Sequence, residues 1–296
     1  MKKILILLLV IGAKMTYAQE VDGVYLKGEM FPGTDVTDIT KLEAGINILL
    51  INTSKEKLTV GGKFQNTNFI YVDSDVPFET DEIEDFNTFS FKLAYQRRLS
   101  DTWSINVMGE SQVSSNFGQN DISSEDLFFN ARATFEKYDE TNNAIWTLGA
   151  AYDIQYGLYY PIPVFAYTKR LDDAWAYKIG FPDARVKWSL SDHHNFEGFA
   201  TLTGFTGNIN DGVEIYKEDY YGTLRQTSYL LGLGYNYNFL QNFEASVNGG
   251  YSMYNSLKIQ DYSNNTVYDF DASNSFYLNV GVKYKFKDNS TIKSLY

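Results

Sequence analysis

From Phe276 to Phe286, large apolar residues and polar residues take turns along the chain. This is the period of two expected of a strand with one apolar and one polar face. The alternation returns in Phe89, Phe91, Leu93 and Tyr95 against Ser90, Lys92, Gln96 and Arg98. It returns again in Trp103, Ile105 and Val107 against Asn106, Met108 and Glu110, and in Trp146, Leu148, Ala150, Tyr152 and Ile154 against Thr147 and Asp153. Residues 184–190 set Val186 and Trp188 against Arg185 and Lys187. Many such segments approach ten residues, the length of a tilted strand crossing a bilayer rather than the five or six common in soluble sheets.

The connectors between these segments are of two kinds, and the kinds interleave. Short ones fall at residues 52–56, 99–101, 139–142, 171–173, 191–194 and 240–242; longer ones fall at 31–36, 73–85, 116–125, 157–161, 181–183, 207–224 and 257–274. Bacterial outer-membrane barrels have short periplasmic turns and longer outer loops. Six turns and seven loops give fourteen antiparallel strands with both ends in the periplasm, an all-β transmembrane up-and-down barrel. Residues 162–190 squeeze three short segments together, and a folded loop there would reduce the count to twelve.

The first residues fit that compartment. Lys2 and Lys3 precede an apolar run from Ile4 to Ile11 and a cleavage-like Thr16-Tyr17-Ala18, the pattern of a secretory signal peptide over residues 1–18. The barrel then takes residues 19–296, with a short tail from Lys287 and no room for an N-terminal plug or a second domain. Cysteine is absent, which excludes disulfides, thiolate metal sites and a lipoprotein anchor. Loss of Lys2, Lys3 and Lys14 takes the formal charge from −12 to −15, which makes nucleic acid an unfavourable partner. Aromatic content of 17%, with 24 Tyr and 21 Phe, suits girdles at the two bilayer interfaces, so the expected partner is outer-membrane lipid.

Period two assigns the polar faces to the lumen. It places Lys41, Lys63, Lys92, Arg98, Arg132, Lys178, Arg185, Lys187 and Lys283 inside, against Glu43, Glu110, Glu136, Asp153, Glu197 and Glu244. The candidates for a selectivity filter are Lys178, Arg185 and Lys187, with Arg98, Arg132, Glu110 and Asp153 beside them. The competing explanation is that opposite charges pair across the wall, because an unpaired buried charge is costly. About fourteen strands leave room for a narrow pore without guaranteeing one.

Residues 73–85 hold seven carboxylates and no basic residue. Asp73, Asp75, Glu79, Asp81 and Glu82 are candidate ligands for a divalent cation at an outer loop, although the spacing lacks the glycine of a calcium loop. A solvated loop kept soluble by its charge is the simpler explanation. His193 and His194, the two histidines, adjoin Asp192 and Ser191 in a tight turn where a catalytic hydrogen-bond chain is hard to build. No nucleotide or zinc motif is present, so neither enzymatic activity nor a cofactor is expected.

Asn279, Gly281, Tyr284 and Phe286 resemble the signal by which the barrel-insertion machinery recognises its substrates, which implies that machinery as a partner in biogenesis. Pro161-Ile-Pro-Val-Phe-Ala-Tyr and Gly180-Phe-Pro-Asp-Ala-Arg-Val-Lys-Trp188 resemble an uncharacterised family of Gram-negative single-barrel outer-membrane proteins, classed as a domain of unknown function. The resemblance covers nearly the whole mature chain and carries no assigned activity. Function is therefore expected from the barrel itself: a narrow porin-like channel for small polar solutes, or alternatively a closed structural or adhesive barrel whose acidic loops bind a partner, a surface polymer or divalent cations.

Overall fold

The computed structural model describes residues 22–33, 35–71, 76–117, 122–215 and 217–286. Residues 1–18, read above as a signal peptide, and the tail from Lys287 lie outside them. The strands are β1 (Gly23–Phe31), β2 (Thr37–Asn52), β3 (Glu56–Tyr71), β4 (Asp85–Arg98), β5 (Trp103–Ser115), β6 (Leu127–Asp139), β7 (Ala144–Tyr152), β8 (Ile162–Arg170), β9 (Trp175–Phe181), β10 (Asp183–Ser189), β11 (His194–Ile215), β12 (Glu218–Phe239), β13 (Phe243–Asp261), β14 (Thr266–Asp269) and β15 (Phe276–Lys285). Each barrel strand pairs antiparallel with its neighbours, and β15 pairs with both β13 and β1, so the sheet closes. Closure leaves no unpaired edge, as a wall surrounded by hydrocarbon requires. The wall has fourteen strands; β14 is a side strand on β13 within the last loop. The squeezed stretch 162–190 forms three short wall strands, β8 to β10, which settles fourteen against twelve.

The alternation is realised as read. Phe89, Phe91 and Leu93, Val107, Trp146 and Leu148, and Val186 and Trp188 are all exposed on the outer surface. All four tryptophans, Trp103, Trp146, Trp175 and Trp188, are exposed near the end that carries the short turns. Trp175 stacks on Trp188 at 5.9 Å and Trp188 on Phe196 at 5.5 Å, so part of an aromatic girdle is continuous there. Among the described residues, no helix is long and apolar enough to cross a membrane.

Two expectations fail at the opposite end. Ile154, assigned to the outer face, is buried in a 3-10 turn (Ile154–Tyr156) that leaves the wall after β7 and turns into the lumen. Of the connectors expected at 207–224 and 257–274, residues 207–215, 218–224 and 257–261 are strand. They are the upper halves of β11, β12 and β13, strands of 22, 22 and 19 residues, whereas β9 and β10 have 7 each.

The long strands do not stand up as a tower. β10 pairs with β11 only as far as Thr201, and beyond it β11 turns across the mouth until Asn208 bridges Ser115 of β5. The β12–β13 ladder slips between Tyr229 and Leu230, a bulge of the kind that bends a strand. The barrel therefore does contain a plug, built from its own strands rather than from an N-terminal segment.

Candidate functional site

The interior divides by height. On β1 the inward residues run Lys27, Glu29, Phe31; on β2 they run Glu43, Lys41, Ile39; on β3, Lys63, Gln65, Thr67, Phe69 and Tyr71. Each inner face thus turns from charged to apolar as it approaches the mouth. The apolar ends meet the lid. Phe205 of β11 packs on Phe69 and Phe86, with ring centroids 5.5 and 5.2 Å away. Tyr71 packs on Phe270 at 5.3 Å, and Ile209, Val213, Ile215, Leu224, Leu257 and Ile259 complete the buried cluster. Full burial of one such side chain contributes roughly 1.5–3 kcal/mol.

Hydrogen bonds pin the lid on both sides. The Ser114 and Ser115 hydroxyls donate to the Thr206 and Asn208 carbonyls at 2.9 and 3.1 Å. The Asn208 amide donates to Asp126 at 2.8 Å, and Tyr262 donates to Asn208 at 3.1 Å. Across the lumen, the Thr206 hydroxyl donates to the Ile154 carbonyl at 2.9 Å. Gly157 has φ of +70°, and a Cβ there would collide with the Gln226 carbonyl, so glycine is needed for the turn after β7 to seat against β12.

Beneath the lid lies a polar cavity of about 210 Å³, lined chiefly by Lys27, Glu29, Lys41, Glu43, Lys63 and Gln112, with Gly204 to Thr206 as its roof. A chain of charges runs along its wall. Lys27 donates to Glu43 at 2.9 Å; Lys63 lies 3.7 Å from Glu43 and 3.6 Å from Glu110; Gln155 donates to Glu110 at 3.0 Å. The Lys27 side chain stays 44% exposed and keeps this network in contact with water.

The sequence candidates separate into several places. Lys178 pairs with Asp183, and Arg185 pairs with Asp183 at 2.8 Å and with Glu197 at 3.2 Å. Asp183 had been assigned to an outer connector; as the first residue of β10, it faces the two cations. Lys187 has electrostatic contact with Glu244 and Glu197. Arg132 and Asp153 interact near the inward turn, where Asp153 accepts a hydrogen bond from the Gln155 backbone at 2.9 Å. Glu110 belongs to the cavity network. Arg98, expected in the lumen, is the last residue of β4 and is exposed at the rim, because the wall ends there. Lys285, absent from the sequence reading, is buried and donates to Glu244 at 2.8 Å.

Outside the lumen, Asp73 and Asp75 lie beyond the described residues, and Glu79, Asp81 and Glu82 are exposed. No group of three potential metal ligands is brought together among the described residues. The Ser191 hydroxyl accepts the His193 and His194 backbone N–H groups, His193 Nδ1 lies 2.8 Å from the Asn238 carbonyl, and His194 Nδ1 lies 2.7 Å from the Tyr235 hydroxyl. These groups stabilise a turn and do not align as nucleophile and base. Asn279 is buried on the inner face, and Tyr284 meets Phe286 edge to face at 5.2 Å at the barrel's closing strand.

Among solved structures, the chain is similar to the KdgM porin (10% identity, TM-score 0.38, covering 90% of this chain and 99% of that one). It is also similar to a TodX monoaromatic hydrocarbon channel mutant (7%, 0.42, 95% and 94%) and to LpxR from Salmonella typhimurium (8%, 0.37, 89% and 100%). No curated protein matches it. A family model described as a domain of unknown function, DUF6268, matches residues 31–285, and the chain belongs to that family.

Proposed function

We propose that this protein resides in the outer membrane, its apolar face against lipid, and acts as a gated, narrow passage for small polar solutes. The carrying observation is the division of one lumen into a charged, partly solvent-exposed chamber and an apolar lid that crosses from β11 to β5. A barrel kept only as a rigid scaffold has no need of a hydrated charged chamber, whereas a passage does. The lid closes the outer mouth in the conformation described, so conduction requires its displacement.

Because the chain has no native cysteine, the lid can be locked at will. Ser115 and Asn208 are direct backbone partners, and a Ser115→Cys, Asn208→Cys pair would tie the lid to the far wall. In planar bilayers, the oxidised variant should give no current steps and the reduced one should recover those of the native chain. Joining Thr203 directly to Ser228 through a two-residue turn should leave a permanently open barrel with steady conductance. A correctly folded, heat-modifiable barrel that stays silent after loss of the hairpin would overturn the channel reading. It would favour the closed scaffold with acidic loops.

A further inference from the structure

We infer that the cavity beneath the lid is a binding site for a small zwitterionic solute, its carboxylate held by Lys41 and its ammonium by Glu29. The inference deepens the proposed passage and rests on it only for the route by which the solute arrives.

The charged groups of the cavity are engaged in two different ways. Lys27, Glu43, Lys63 and Glu110 neutralise one another through separations of 2.9, 3.7 and 3.6 Å. Glu29 and Lys41 behave differently. They are direct cross-strand partners of β1 and β2, both line the cavity, and they have opposite charges, yet they do not close an ion pair. Among the described residues, the Glu29 carboxylate accepts one hydrogen bond, a long one of 3.4 Å from the Asn279 amide. The Lys41 ammonium, on a residue just 6% exposed, donates 2.9 Å to the Gly204 carbonyl of the lid and sits 5.4 Å above the Phe31 ring.

A buried ammonium satisfied by a neutral carbonyl and a half-buried carboxylate held by one weak donor are each under-used, since charge-assisted bonds are roughly twice as strong as neutral ones. A solute with both charges answers both groups at once. A singly charged solute would answer one and leave the cavity with an uncompensated charge. The volume of about 210 Å³ is below the roughly 300–1,000 Å³ of drug-sized sites, which restricts the occupant to a few heavy atoms. The Phe205 side of the roof supplies an apolar surface for its carbon atoms.

The site is also linked to the lid. Lys41 donates a hydrogen bond that ties the lid to β2, and a solute carboxylate that takes over its N–H groups competes with the Gly204 carbonyl. Occupancy therefore weakens one of the bonds that hold the mouth closed.

Calorimetric titration of the full chain in detergent would use glycine and 4-aminobutyrate as zwitterions of short and long reach. Acetate and propylamine, each lacking one charge, serve as comparisons. At least one zwitterion should bind, with each singly charged probe at least about tenfold weaker. Glu29→Gln, which leaves the Lys41 bond to the lid intact, should reduce zwitterion binding about tenfold while sparing acetate; Lys41→Gln should abolish carboxylate recognition. Equal binding of all four probes, no binding of either zwitterion, or unchanged affinity in a folded Glu29→Gln chain would overturn the site. Binding without conductance would overturn the passage and leave the site standing.

Discussion

The two halves of this lumen are made from the same strands and obey the same alternation, yet they solve opposite physical problems. Near the mouth, Phe31, Ile39, Phe69 and Phe86 face inward and need an apolar partner, which β11 and β12 bend across to supply. A few residues lower, Lys27, Glu43, Lys63 and Glu110 face inward on strands of the same wall and need charge compensation and water. Burial of apolar area is non-directional and tolerates a bent, irregular lid. Charge compensation depends on geometry, and in the lower chamber the partners on β1 and β2 run in one unbroken register. The difference teaches that a barrel interior needs no separate plug domain: extending two hairpins and changing the inward residues from charged to apolar is sufficient.

The strongest test of this contrast puts the wrong chemistry in the upper half. Ile209→Asp would place an unpaired carboxylate in the lid core, at a cost of at least about 3 kcal/mol. The lid should leave its seat while the wall remains. A single cysteine introduced at Thr206 should then react with a maleimide at least tenfold faster, with the heat-modifiable barrel band unchanged; equal rates would mean that the apolar core does not hold the lid.

The lower half should answer to pairing rather than to volume. Lys285→Gln leaves Glu244 without its 2.8 Å partner. Removing one member of a fully buried pair costs about 3–5 kcal/mol; Glu244 retains 15% exposure, so about 2 kcal/mol is expected. The urea midpoint of the barrel should fall, and Lys285→Gln, Glu244→Gln should recover most of the loss. A double variant no better than the single would show that packing, not charge, governs the chamber.

The smallest effect lies where the lid meets the acidic connector. Partial burial, then the nearby Asp211 and Asp81, hold the Glu82 carboxyl above its ordinary value of 4.5. An acid with a raised value binds its proton more readily in the closed state. The resulting stabilisation is therefore full below the ordinary value and is lost as the pH rises through the raised one. Lid cysteines should label somewhat more slowly in mild acid than at neutral pH, and Glu82→Gln should flatten that dependence. A steeper dependence in the variant would assign the effect elsewhere.

The wall was legible in the sequence because a strand's two faces are recorded at every second residue. Phe89, Phe91 and Leu93 could face only lipid, and interleaved short and long connectors gave fourteen strands or twelve, a choice that β8 to β10 made in the structure. The placement of Lys41, Lys63, Glu43 and Glu110 inside followed from the same parity. Whether those charges pair did not follow, because pairing depends on cross-strand register. Asp183 illustrates this: beside a proline it reads as loop, and only the register of β9 and β10 brings it to Lys178 and Arg185. Glu29 was equally hidden, since its cross-strand neighbour Lys41 is engaged by the Gly204 carbonyl of the distant lid.

By itself, then, the sequence determined a barrel wall of fourteen or twelve strands, its outward apolar face and the mixed charge of its interior, all of which depend on local alternation. Only the tertiary structure decided that residues 203–215 and 217–228 bend inward and close the mouth. Glycine, asparagine and aspartate between residues 204 and 212 give that segment the composition of a solvated loop. Its Phe205, Ile209 and Val213 find their apolar partners on β3 and β4 and in the upper strands, far away in sequence, and contacts across the lumen leave no periodic trace along the chain.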